Sequence, residues 1–196
     1  TAQKKFGTAS ILLDGTEDNV KVPTSDDFGF GTSNWCLEAF IRPNSVTGTQ
    51  HIFDLRDASG TDTAPKLYLN GSTLHFGVGN TSVRSGGTLA TGTWYHVAVA
   101  RQGGTTKLFL DGTELGTGAD TNDYGSTKPV AIGSDYQATP TEAFNGHIDE
   151  KKEVALPPGN WKVLLDENDF NLVGFKTIDR KIVLPKLSGA ILERAK

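Results

Sequence analysis

Short apolar runs recur along the first three quarters of the chain. Each is closed by a cluster of Gly, Asp, Asn, Ser or Thr. The runs fall at Ser10–Asp14, Asn19–Val22, Trp35–Arg42, His51–Arg56, Lys66–Asn70, Thr73–Gly77, Trp94–Arg101, Thr106–Asp111, Thr113–Thr117, Val130–Gly133 and Phe144–Asp149. They are rich in residues that suit a pleated, half-buried surface, and the pattern predicts strands. No segment of a dozen residues carries a clean helical stripe. Within Trp94–Arg101, positions 94, 96, 98 and 100 share one face and 95, 97 and 99 the other. Both faces are largely apolar, so this strand is expected in the middle of a sheet, with His96 as a hydrogen-bonded core residue. Asn70-Gly71 and Asp111-Gly112 each lie between two such runs and predict tight hairpins. Asp14-Gly15, Gly86-Gly87 and Gly103-Gly104 mark further turns. Many short strands at close spacing predict an all-β sandwich or barrel.

The order of these strands carries a resemblance. Trp94-Tyr95-His96-Val97-Ala98-Val99, a Gly-Gly turn and Lys107-Leu108-Phe109-Leu110-Asp111-Gly112 resemble the hallmark hairpin of laminin-G-like jelly-roll domains. Ser10–Gly15 and Val20–Pro23 are similar to the family's first two strands. Trp35–Pro43 resembles the strand that ends in an aromatic, an aliphatic and a proline, and Phe144–Glu150 the closing strand. The likeness spans residues 6–150 and implies the concanavalin A-like lectin/glucanase jelly roll.

Composition changes at the end of that span. Residues 1–150 hold 22 threonines and 20 glycines; residues 151–196 hold one threonine, Thr177, and 3 glycines. The formal charge is −7 over the first part and +3 over the second, against −4 for the 196-residue chain. A step of this kind predicts two units, a sandwich over 1–150 and a small four-stranded β extension over 151–196. In the second unit, Leu156-Pro157-Pro158-Gly159-Asn160 reads as a turn, followed by strands at Trp161–Asp166, Leu172–Thr177, Lys181–Leu184 and Ala190–Arg194. The Leu-Pro-Pro-Gly-Asn-Trp run, Asp166, and Val183-Leu184-Pro185 followed by Ser188–Leu192 resemble the C-terminal β-domain of alpha-amylase superfamily starch enzymes such as pullulanases. That resemblance implies a packing domain without catalytic residues, and a fusion or chimera of two pieces.

Candidate chemistry is sparse. A lone Cys36 in an apolar strand rules out an intrachain disulfide and reads as a small buried hydrophobe. Glucanases on this fold are expected to use Glu-x-Asp-x-x-Glu on one strand. Here His147 stands in the first Glu position, and Asp149 and Glu150 are adjacent, so they point to opposite faces. No Gly-x-Ser-x-Gly elbow, zinc-binding His pair or Walker loop occurs. Sugars are held by an aromatic face with amides and carboxylates around it. Two loops offer that mixture: Asp120, Asn122, Asp123 and Tyr124, and Asp135 with Tyr136. The laminin-G-like resemblance also implies a structural Ca²⁺ at the rim, with Asp149 as first candidate and Asp18 as second, since calcium takes hard oxygen ligands.

The expectation is a non-catalytic recognition module for carbohydrate or a surface protein, within a larger extracellular or virion-associated protein. Alternatives are a structural module of tail-fibre type, oligomerising through residues 151–196, and a non-catalytic fragment of a starch-acting glycoside hydrolase. An acidic pI near 5.5 argues against nucleic acid as partner. No apolar run is long enough to cross a membrane as a helix, and no basic region leads into an apolar stretch as in a signal peptide.

Overall fold

A computed structural model describes residues 3–6, 10–136 and 141–149, and the backbone of 153–163, 177–183 and 190–194. Strands dominate: β1 (Ile11–Asp14), β2 (Val20–Ser25), β3 (Trp35–Pro43), β4 (Thr49–Asp54), β5 (Pro65–Asn70), β6 (Thr73–Val78), β7 (Thr81–Gly86), β8 (Tyr95–Gln102), β9 (Thr105–Leu110), β10 (Thr113–Ala119), β11 (Lys128–Ile132), β12 (Asn145–Asp149), β13 (Glu153–Val163), β14 (Thr177–Val183) and β15 (Ala190–Arg194). The one helical element among the described residues is a 3₁₀ turn at Asp26–Phe28, capped by the Ser25 hydroxyl. All strand pairs are antiparallel and form two sheets, the jelly-roll β-sandwich that the laminin-G-like resemblance implies.

The smaller sheet runs β2-β11-β4-β5-β6-β7. The larger runs β10-β9-β8-β3. Beyond β3, two strands share its second edge: β12 pairs Phe40–Pro43 and β15 pairs Trp35–Glu38. β12 then pairs β1, and β15 pairs β13, which pairs β14. β8 lies between β9 and β3, the central position that its two apolar faces require.

Alternation explains the core. On β3, Trp35, Leu37, Ala39 and Ile41 face inward and are buried. Trp35 stacks on Phe30 at 5.4 Å between ring centroids, with Phe76 at 5.8 Å and Tyr124 edge-on at 5.9 Å. Such offset and edge contacts add to area burial. Cys36 sits on the opposite, outward face and is half-buried. Burial and nearby Glu38 push its thiol pKa up, which keeps it an unreactive thiol. His96 also faces outward, half-buried, with Nε2 3.2 Å from Glu38 Oε2 and its ring 4.8 Å from Phe40.

Three elements depart from expectation. β7 was not legible, because Thr-Ser-Val-Arg-Ser-Gly lies at a sheet edge with no buried residue, so nothing alternates. The Leu156–Asn160 run is not a turn but lies inside β13, where the register against β14 shifts between Ala155 and Asn160. Proline cannot donate to a ladder and is tolerated at such irregularities. The next strand begins at Thr177. Residues 164–166, 172–176 and Leu184, expected in strands, lie outside the described residues.

Candidate functional site

The loop after β10 folds inward. Asp120, 5% exposed, accepts at Oδ1 from the Asn122 backbone N–H (3.1 Å) and from Asn122 Nδ2 (2.9 Å), and at Oδ2 from the Tyr124 hydroxyl (2.7 Å). Buried Arg101 donates from Nη1 to the Asn122 carbonyl at 2.7 Å, and its guanidinium lies 5.4 Å from the Tyr124 ring centroid. Tyr124 is 0% exposed; burial first, then the bond to Asp120, pushes its hydroxyl pKa up. The expected stacking face is therefore a core ring, and Asp120 is its anchor. Asn122 and Asp123 remain exposed. Asp123 caps the Gly125 N–H at 2.8 Å and lines an open depression of about 610 Å³ with Asp26, Phe30, Thr32, Ser33 and Ser126.

Asp135 and Tyr136 lie elsewhere. Asp135 is fully buried: Oδ1 accepts from the Thr141 N–H at 3.2 Å, and Oδ2 has no hydrogen-bond partner among the described residues. Tyr136 is half-buried, with the Lys21 ammonium 5.4 Å from its ring centroid. A buried ionic group lies on the outward positions of β4 and β5. Arg56 donates from Nε and Nη2 to the Asp54 carboxylate (2.7–3.1 Å), and from Nη1 to the Gly60 carbonyl and Asn80 Oδ1. Lys66, 7% exposed, holds its ammonium 4.8 Å from the Tyr68 ring centroid; burial, then nearby Arg56, lowers its pKa. Tyr68 lies between His51 (5.3 Å) and His75 (5.1 Å) across three strands.

This group reaches solvent through Glu142. His51 Nδ1 lies 3.0 Å from Glu142 Oε2, and the Glu142 side chain is 37% exposed. The close approach of the His51 ring, outweighing burial, holds the carboxyl below its ordinary range, with Lys66 and Arg56 adding to the pull. Glu142 lines a second depression, of about 460 Å³, with Ser45, Thr47, Thr49, Gln50, Thr141 and Asn145 around it. Gln50 fixes this wall. Its Nε2 donates to the Ser45 and Thr47 carbonyls, both at 3.1 Å, and its Oε1 accepts from the Asn145 N–H at 2.9 Å. Hydroxyls, amides and one carboxylate make a hydrogen-bonding cup. Depressions of this volume accept small ligands. The two depressions share no lining residue, and the segments that line them, 29–33 and 45–50, flank β3 at its two ends.

The model of the Concanavalin A-like lectin/glucanases superfamily matches residues 14–152. The chain belongs to this superfamily. No curated protein sequence matches it. Solved structures with the same fold include mouse laminin alpha1 chain domains LG4-5, at 13% identity and TM-score 0.56, covering 72% of this chain and 39% of that one. A CBM40 of Ruminococcus gnavus IT-sialidase bound to α2,3 sialyllactose matches at 13% identity and TM-score 0.57, over 71% of this chain and 85% of that one. Domain 4 of a GH43 extracellular arabinanase from Geobacillus stearothermophilus, in complex with arabinotriose, matches at 20% identity and TM-score 0.55, over 71% and 67%. The chain spans well under half of the laminin chain.

Asp149 and Asp18, the carboxylates that the laminin-G-like resemblance offers to calcium, lie at different places. Asp149 is buried and accepts at Oδ2 from the backbone N–H groups of Lys5 and Phe6. Asp18 accepts from the Asp14 N–H at 3.2 Å, and Asp14 pairs with Asn145 at the other end of β12. Four residues of strand, about 13 Å, separate the two sites. Among the described residues, no three His, Cys, Asp or Glu side chains converge on a metal position. Ser10, His147 and Asp149 do gather on one face. The Ser10 hydroxyl, however, donates to the Gln3 carbonyl at 2.5 Å, so His147 Nδ1, 3.0 Å away, is the donor between them. A histidine that donates to the serine does not activate it as a nucleophile.

Among the described residues, no helix is long and apolar enough to cross a membrane.

Proposed function

We propose that the protein is a non-catalytic carbohydrate-binding module of an extracellular protein, and that it holds its glycan in the depression beside Glu142. One observation carries this reading: the wall is built of hydroxyls, amides and a single carboxylate, and Gln50 braces it from behind. Such a wall matches the closely spaced hydroxyls of a sugar ring. Sugar complexes on the same fold, with sialyllactose and with arabinotriose, support it.

Hydrolysis of a glycoside uses two carboxyl groups about 5–9.5 Å apart across the scissile bond. Glu142 is the one acidic residue lining this depression among the described residues. Asp54 behind it is fully buried and engaged by Arg56, and Asp135 is fully buried. The arrangement supports binding without turnover. The test is a glycan array with the full chain and with a Thr47→Trp variant that fills the depression. Binding by the wild type, lost in the variant, with no product released from the bound glycan, is the expected outcome. Equal binding by both proteins, or release of cleaved sugar, would contradict the reading.

A further inference from the structure

We propose that Glu142 is the specificity determinant of the depression, and that it admits neutral or amino sugars while rejecting glycans that carry a carboxylate. The inference rests on the carbohydrate reading above and adds the class of ligand to it. Its basis is the charge of the wall. Among the described residues that line it, Glu142 is the one with an ionisable side chain, and none is a lysine, arginine or histidine. The cations nearby are held by partners within the protein. Arg56 is bound by Asp54, Gly60 and Asn80, and Lys66 is buried against Tyr68. Their positive charge, with the His51 ring 3.0 Å away, favours the ionised form of Glu142.

A uronic or sialic acid placed there sets its carboxylate against that of Glu142 with no cation of the wall to offset it. Like charges brought together across an interface are a strong negative element of specificity. A neutral sugar instead donates its hydroxyl protons to the carboxylate, as a charge-assisted hydrogen bond. An ammonium of an amino sugar gains an ion pair there. The residue therefore acts in two ways, as acceptor for one class and as barrier to the other.

Isothermal titration with matched pairs tests this: lactose against 3′-sialyllactose, a galactose trimer against trigalacturonate, and a chitotriose against its deacetylated form. An array of neutral glycans supplies further pairs. The full chain is compared with Glu142→Gln, and with Glu114→Gln, which removes one acidic charge from the distant β10 surface. Expected is binding of neutral members at least about tenfold tighter than of acidic partners, a gap of about 1.4 kcal/mol or more. The gap should close in Glu142→Gln and persist in Glu114→Gln. Acidic members bound as well as neutral ones by the wild type, or a gap untouched by Glu142→Gln, would overturn the inference and leave the carbohydrate reading standing. No binding of any glycan would overturn both.

Discussion

Tyr124 shows how a side chain's surroundings decide its role. Asp120-Thr121-Asn122-Asp123-Tyr124 holds the residue types of a sugar site, yet the ring packs edge-on against Trp35 and its hydroxyl is taken by Asp120. Composition cannot tell inward from outward in a loop; the partner ring, 89 positions earlier in the chain, decides it. Tyr124→Phe is expected to cost about 1–2 kcal/mol, the loss of one buried hydrogen bond. Tyr124→Ala should cost about 3–5 kcal/mol, through the cavity it opens. Urea unfolding measures both, and glycan binding by the Phe variant should be unchanged. Glu142, Gln50 and His51 had no comparable signal, since each is a polar residue whose partners arrive from other strands. Two buried or half-buried histidines set a pH dependence. Burial lowers the pKa of His75, and burial with nearby Arg42 lowers that of His147. Both therefore bind protons less readily in the folded chain than in the unfolded one. Their contribution to stability is complete above about pH 6.5 and declines as pH falls toward the folded values. Tm should drop between pH 7 and 5, and the drop should be shallower in a His75→Gln/His147→Gln variant. An equal slope in that variant would contradict the assignment.

At the scale of elements, the strands with one wet and one dry face were legible, and so were the hairpins. Asn70-Gly71 sets Tyr68 opposite His75 and so aligns the outward ring row of the smaller sheet. β7 was illegible because the positions it turns toward β10 are Arg84 and Gly86, which carry no apolar side chain. β13 was misread at its start because Pro-Pro-Gly is turn chemistry in most contexts, and here it is absorbed by a register shift. Gly133 closes β11 and places the following segment. Its N–H donates to the Ile52 carbonyl at 3.0 Å, and its carbonyl accepts from the Phe144 N–H at 2.8 Å. Its φ is +85°, and a Cβ there would lie 2.2 Å from Leu13 Cδ1. Gly133→Ala is expected to destabilise the chain by about 2–4 kcal/mol, from backbone strain and overpacking together. Thermal or urea unfolding checks it; a loss under about 0.5 kcal/mol would contradict this account of the turn.

Over the whole molecule, the jelly roll was legible from strand order, while the position of residues 151–196 was not. The composition step near 150 carries no pairing information, and β15 finds its place on β3 through backbone hydrogen bonds. We propose that the step at 150 separates two units. Residues 13–148 hold a core cluster of their own, with Trp35, Phe76 and Phe144 among its fully buried members. A fragment of residues 1–150 is therefore expected to unfold cooperatively. It should also self-associate more than the full chain in light scattering, because the β3 edge at Trp35–Glu38 is left open. A fragment that shows no cooperative transition would contradict the boundary. The central claim, a glycan held beside Glu142, is tested most directly by titrating the ¹⁵N-labelled full chain with a neutral oligosaccharide found on the array and following backbone amide shifts. The account predicts saturable shifts gathered at Ser45–Gln50 and Thr141–Asn145, with Asn122 and Asp123 unmoved. Shifts gathered at 29–33 and 123–126 instead, or none at all, would contradict it.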